Sequence, residues 1–244
     1  LLYFADQCHC PYGQRSMAEI RCLAEGITAF LIAQGAQVVV VACNTASAAA
    51  LTYLRSRFAV PIVGMEPAVK PASEHTRSGK VGVIATEVTF QGELFTRLVE
   101  RFAREVEVYT RVCPGLVEVV EAGNTDNSAV EVMLQEYLSP MLEAGIDQLV
   151  LGCTHYSFLR STIEEIVGPG VEIIDPAPAV ARQVERVLVR EGLLTGRTGQ
   201  GHYTFYTSGD PSTLAWQLQQ LVGIKTTVQA VTWRKGHVQP GKPR

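Results

Sequence analysis

The sequence predicts an α/β protein built on parallel sheets, and three observations predict it. Short, uniformly apolar runs such as Val38-Val39-Val40-Val41 and Leu149-Val150-Leu151 are too brief for a helix core and too apolar for a half-exposed strand. They read as strands buried on both faces. Segments with helical periodicity alternate with these runs along the whole chain, as in folds with helices on both faces of a parallel sheet. The same local pattern of apolar run, small residue, Cys and polar stretch also occurs twice, as Val41-Ala42-Cys43-Asn44-Thr45 and Leu151-Gly152-Cys153-Thr154-His155.

In chain order, residues 1–5 read as a strand. Residues 17–34 form a helix with apolar positions at Ile20, Leu23, Ile27, Phe30 and Leu31 and a C-cap at Gly35. Residues 38–41 are the strand that delivers Cys43, and an alanine-rich helix runs on to about Arg57. Residues 61–64 are a short strand, 69–77 a helix, 80–85 a strand, 90–102 a helix and 105–109 a strand. Residues 130–144 form an amphipathic helix, and 148–151 the strand that delivers Cys153. A helix at 157–167, a strand at 171–174 and a helix at 178–191 ending near Gly192 follow. The last predicted elements are a strand at 203–207 and a helix at 212–221. Residues 234–244 carry Lys, Arg, Pro and Gly without periodicity and are expected to be disordered.

Composition narrows the function classes. The chain has 244 residues, 47% hydrophobic and 18% charged, enough for one large or two small α/β domains. A net charge of −3 gives no basic footprint for nucleic acid. No apolar stretch reaches the ~20 residues that span a bilayer, and no signal-peptide pattern is visible. Six irregularly spaced cysteines do not form a disulfide framework, so free thiols in a reducing cytoplasm are expected.

A single cysteine in an α/β chain is most often a small buried hydrophobe, and Cys22 and Cys113 are read that way. Cys43 and Cys153 differ. Each sits where a strand ends and a helix begins, the edge at which open α/β sheets bind ligands. There the helix dipole and unpaired N–H groups favour thiolate over thiol. Polar residues that hold anions well follow both. Cys8-His9-Cys10 brings soft donors together, but a zinc site wants three or four ligands at recognisable spacing, and no second C-x-x-C or His pair exists. No metal is expected. The G-x-G-x-x-G, G-x-x-x-x-G-K-[ST], H-E-x-x-H and G-x-S-x-G motifs are absent, so nucleotide, zinc-protease and serine-hydrolase chemistry lack support.

Two thiols facing one ligand can exchange a proton at carbon. A thiolate on one face removes an α-proton while a thiol on the other face returns one, which inverts the centre. N–H groups and hydroxyls around a substrate carboxylate would stabilise the carbanionic transition state.

At these residues the chain resembles the glutamate racemases of the cofactor-independent aspartate/glutamate racemase superfamily. Tyr3-Phe4-Ala5-Asp6 followed by Cys10-Pro11-Tyr12-Gly13 is similar to that family's YFAD…PYG segment, and the two Cys motifs to its catalytic motifs. Lesser matches are Gly82-Val83-Ile84-Ala85-Thr86, Cys113-Pro114 leading to Glu121-Ala122-Gly123, and Phe205-Tyr206-Thr207-Ser208-Gly209-Asp210-Pro211. The resemblance implies that Cys43 and Cys153 are the acid/base pair, with His155 assisting Cys153. It places Tyr12, Gly13, Asn44, Thr45, Thr86, Glu121, Thr154 and His155 around the substrate. It implies no cofactor, glutamate as the partner molecule, neither nucleic acid nor membrane, and a homodimer as one compatible assembly. It also implies two flavodoxin-like lobes, residues 1–67 with 176–244 and residues 68–175, with an interlobe active-site cleft. The biological role would be supplying D-glutamate for peptidoglycan.

One family feature has no match here: an opening strand and DSGxGG loop, so Leu1 aligns after that first βα unit. Two alternatives stay open. One is a racemase or isomerase of another acid, such as aspartate, a hydantoin or maleate. The other is a thiol or ligand-binding protein that keeps the fold without the chemistry.

Overall fold

Strand and helix alternate through the computed structural model, which describes residues 1–196, 199 and 201–241. The order is β1 (Leu2–Ala5), α1 (Met17–Ala33), β2 (Val39–Val41), α2 (Asn44–Arg57), β3 (Ile62–Gly64), α3 (Val69–His75), β4 (Lys80–Ala85), α4 (Glu87–Gln91) and α5 (Glu93–Phe102). It continues with β5 (Glu107–Val112), α6 (Leu116–Glu121), α7 (Ser128–Ala144), β6 (Gln148–Leu151), α8 (Arg160–Val167), β7 (Glu172–Ile174) and α9 (Ala177–Arg190). β8 (Thr204–Thr207), α10 (Pro211–Gln217), β9 (Val228–Arg234) and β10 (His237–Pro240) complete it. Residues divide into two compact units: 1–40, 50–63 and 182–244, and 41–49 with 64–181. Segment 41–49 carries Cys43, which therefore groups with Cys153.

The second unit holds a four-stranded, wholly parallel sheet in the order β5-β4-β6-β7. Five of six residues of β4 and all four of β6 are buried, which explains why those runs are apolar without alternation. Val81 and Val83 of β4 pack with Val69 and Ala72 of α3 and Phe95 of α5. Gly82 points to the other face, where a Cβ would stand 3.1 Å from Met141 Sδ of α7 and 2.7 Å from Ile146 Cδ1. The sheet is thus covered on both sides.

In the first unit the sheet order is β1-β8-β9-β10, parallel except for the last pair. Phe30 of α1 meets Tyr206 edge-on at 5.1 Å and packs with Val231. Phe205, on the opposite face, packs with Leu214 and Leu218. Burying each such ring contributes ~1.5–3 kcal/mol. The start of α1 is fixed by a reciprocal capping box: Ser16 Oγ accepts from Glu19 N–H, and Glu19 Oε2 accepts from Ser16 N–H at 2.9 Å. Its end follows the expected glycine, Gly35, at φ +94°.

Three expectations fail. Residues 234–240 are ordered: β9 and β10 form an antiparallel hairpin across Lys235-Gly236, both at positive φ (50° and 78°). That geometry suits the two-residue turn whose twist matches the strands, but Lys rather than Asn or Asp at its first position hid it. Residues 242–244 lie outside the described residues. The predicted helix at 90–102 is two helices that meet at Gly92. Cys22 is exposed rather than buried. The buried face of α1 runs through Ile20, Ala24 and Thr28, and Cys22, two positions from the first two, falls on the other side.

Candidate active site

Both site cysteines stand at C-terminal ends of strands, and their surroundings are built differently. β2 ends at Val41, and α2 begins at Asn44, so Cys43 occupies the entry to a helix N-terminus. The Ala46 N–H donates to Cys43 Sγ at 3.4 Å, and the Cys43 carbonyl accepts from Ser47 N–H. The Ser47 hydroxyl donates to the Val41 carbonyl at 3.1 Å and accepts from Met65 N–H at 2.9 Å, which ties the turn down.

Behind Cys43 lies a cluster of hydroxyls. Thr45 Oγ1 is 2.8 Å from Thr86 Oγ1, and Thr86 Oγ1 is 2.9 Å from Thr89 Oγ1. Thr45 and Thr89 are 3.4 Å apart, and both are buried. The structure therefore brings Thr45 and Thr86 together and adds Thr89, which sequence reasoning missed. The signal was there: Thr86-x-x-Thr89 at the start of a helix puts two hydroxyls on one face. Asn44 is 2% exposed, yet neither its side-chain donor nor its acceptor has a partner. Such a group costs ~1–3 kcal/mol unless something pairs it.

Cys153 is 7% exposed and precedes a tight turn, Thr154–Leu159. Gly152 makes its position accessible. The Gly152 N–H donates to the Ile84 carbonyl at 2.7 Å, and a Cβ on Gly152 would sit 2.8 Å from both that oxygen and Ala85 Cβ. No other residue lets the chain pass so close to β4. His155 Nδ1 lies 3.9 Å from Cys153 Sγ, and its Nε2 is 2.7 Å from Glu121 Oε1. A carboxylate accepting at Nε2 leaves Nδ1 as the basic nitrogen facing the thiol. Glu121, at the end of α6 and 34 residues away in sequence, is thereby placed in contact with His155.

Both thiols are shifted up, opposite to the direction expected from their helix-end positions. Burial, with a smaller contribution from Cys43, pushes the Cys153 thiol up to about 12, and the N–H groups of His155 and Tyr156 only partly offset this. Burial also raises Cys43, against donors from Ala46 and Thr45. Desolvation outweighs the local dipoles at both. All six cysteines, this pair included, are free of disulfides.

Tyr12 and Gly13 lie in the first unit, on the turn Tyr12–Gln14 that follows a cis Cys10–Pro11 bond. The Tyr12 hydroxyl donates to Asp6 Oδ2 at 2.7 Å. Thr154 opens the turn after Cys153.

Residues 2–184 match the family described as Asp/Glu/Hydantoin racemase. The glutamate racemase of Herpetosiphon aurantiacus is 48% identical over 225 residues, 92% of this chain and 88% of that protein. The glutamate racemase isoform RacE1 of Bacillus anthracis superposes with a TM-score of 0.84 at 30% identity, over 97% of this chain and 88% of that one. The Escherichia coli glutamate racemase, solved with L-glutamate and the activator UDP-MurNAc-ala, gives a TM-score of 0.79 at 30% identity, over 91% of this chain and 84% of that one. Among the described residues no helix is long and apolar enough to cross a membrane.

Proposed function

The chain belongs to the Asp/Glu/Hydantoin racemase family, and on that premise we propose that it is a cytoplasmic glutamate racemase using Cys43 and Cys153 as its two acid/base groups, without a cofactor, to supply D-glutamate for peptidoglycan. The observation that best supports this reading is the pair of unlinked thiols, each standing just past the end of a strand, in a chain 48% identical to a glutamate racemase over 225 residues. A two-base inversion requires one thiolate and one thiol at a time, and repulsion between the two sulfurs disfavours the state with both ionised.

In that reaction the thiolate of one cysteine takes the α-proton of glutamate, and the other thiol delivers its own proton to the opposite face. The C–H bond broken on one face is replaced by one formed on the other. The enzyme is left with the roles exchanged, ready for the product enantiomer. His155, braced by Glu121, is placed to hold and return the Cys153 proton. Asn44 has an unused amide to offer the substrate, and the Thr45–Thr86 hydroxyl pair lies in the next residue's shell. The L-glutamate bound in the Escherichia coli enzyme and that enzyme's activator, UDP-MurNAc-ala, support the substrate and the cell-wall role.

The test is racemisation of L-glutamate in deuterated water, without pyridoxal phosphate or divalent metal, read by polarimetry and mass spectrometry. Product D-glutamate should carry one α-deuterium. Cys43→Ser and Cys153→Ser should each lower the rate by at least ~10²–10⁴-fold. Either variant racemising at the parent rate sinks the two-thiol assignment. Exchange at aspartate or a hydantoin in preference to glutamate would move the substrate elsewhere in the family.

A further inference from the structure

The turn that follows β1 holds a cluster outside the thiol pair. Cys8 Sγ is 3.1 Å from His9 Nδ1 and 3.8 Å from Asp6 Oδ1, and His9 Nδ1 is 3.0 Å from both Asp6 oxygens. One ligand atom from each residue lies within 4.8 Å of the other two. Ligand atoms around tetrahedral zinc stand about 3.3–3.6 Å apart, given Zn–N and Zn–O near 2.0–2.1 Å and Zn–S near 2.3 Å. The observed separations straddle that range. The spacing of cysteine and histidine alone does not mark this group; the third donor is a carboxylate two residues before Cys8.

The three donors are held from outside. Asp6 Oδ1 accepts from the Trp233 indole N–H at 2.9 Å and from the Ser208 hydroxyl at 2.7 Å, while Oδ2 accepts from the Tyr12 hydroxyl. The His9 ring stands edge-on to Trp233, with centroids 5.3 Å apart. The Cys8 N–H donates to Ser208 Oγ. A carboxylate and an imidazole already oriented by neighbours are the arrangement that strengthens metal ligands. Cys8 is exposed, so an ion reaches the site without opening the core.

We propose that Asp6, Cys8 and His9 form a three-ligand site for a divalent cation of the zinc class, with solvent as the fourth ligand. A thiolate, an imidazole and a carboxylate together select zinc or cobalt(II) over magnesium or calcium. Thiolate and carboxylate balance the 2+ charge. The ion displaces the Cys8 thiol proton to solvent, and the proton on His9 Nδ1 is exchanged for one on Nε2, so one proton leaves per ion bound. The site is independent of the racemase reading: its donors do not include Cys43 or Cys153.

The experiment titrates the reduced, metal-free chain with cobalt(II) and follows absorption. One equivalent should produce visible bands of tetrahedral cobalt and a near-ultraviolet thiolate-to-cobalt charge-transfer band, both erased by zinc. Cys8→Ser should abolish the charge-transfer band, and His9→Gln should weaken binding, while Cys43→Ser and Cys153→Ser keep the full spectrum. Trp233→Phe, which removes the hydrogen bond to Asp6 and part of the ring beside His9, should weaken binding ~10–100-fold. Affinity should also fall as pH drops, because a proton is released. No thiolate band at one equivalent, a band unchanged in Cys8→Ser, or a band lost in Cys43→Ser would each overturn the proposal.

Discussion

Cys43 and Cys153 come from the same sequence pattern and occupy different chemical surroundings. Cys43 enters an α-helix, takes an N–H from Ala46, and is backed by three threonine hydroxyls that carry no net charge. Cys153 enters a tight turn, is nearly fully buried, and faces an imidazole held by a carboxylate. Backbone N–H groups reach both thiols, and only Cys153 also has an imidazole beside it. The difference teaches that a strand–Cys–helix pattern sets where a thiol stands but not which groups surround it.

Gly152→Ala should have the largest effect on that contrast, because it disturbs the residue directly before Cys153. A methyl 2.8 Å from the Ile84 carbonyl and Ala85 Cβ forces the turn away from β4. Stability should fall by ~1–3 kcal/mol, and a thiol displaced by about 1 Å should cost on the order of 100-fold in rate. Thermal unfolding and steady-state kinetics measure both. Unchanged kcat/KM would mean that the turn tolerates displacement and that close approach does not position the thiol.

His155→Asn and Thr45→Val should then separate the two stations. Loss of the imidazole should slow racemisation about 100-fold, and loss of the Thr45 hydroxyl roughly tenfold. Because the enantiomers interconvert with an equilibrium constant of one, the loss in kcat/KM is equal in both directions. The asymmetry appears instead in α-deuterium isotope effects. His155→Asn should enlarge the effect for the enantiomer whose proton Cys153 removes and shrink it for the other, with Thr45→Val doing the reverse. Equal changes for both enantiomers would show that neither group belongs to one thiol.

The smallest effect on rate is expected at the opposite end of β6. Asp147 precedes that strand, and its carboxylate accepts from the Thr76 hydroxyl and from Arg77 and Ser78 N–H. Burial works against the charge, but these donors bring its pKa to about 2. A depressed carboxylate pKa contributes stability that is present above the unfolded value near 3.8 and is lost as pH falls toward 2. Asp147→Ala should therefore lower the melting temperature at pH 7, by ~1–3 kcal/mol of stability, with the difference shrinking below pH 4. The folded fraction should racemise at the parent rate. A loss of kcat would tie the two ends of β6 together.

Much of this was legible in the chain. Uniform apolar runs gave β4 and β6 their places because both faces of those strands are covered, and Gly35 marked the end of α1. Local pattern also put Cys43 and Cys153 at strand ends. It could not supply contacts made by folding across distance: Glu121 reaches His155 over 34 residues, and Trp233 reaches Asp6 over 227. The resemblance named Glu121 as a pocket residue, but only the structure pairs it with His155. The thiolate expectation failed for another physical reason, since a helix end is read from sequence while the depth of burial that opposes it is not. The hairpin at 228–240 was missed because Lys235 is an unusual residue at positive φ.

Asn44 has a consequence for how the chain withstands heat. Its unmatched amide removes ~1–3 kcal/mol from a total that in proteins of this kind is only ~5–15 kcal/mol. Leucine there would remove that cost, and under the proposed function it would also remove an amide that substrate can pair. Any ligand that pairs the amide restores the deficit by mass action.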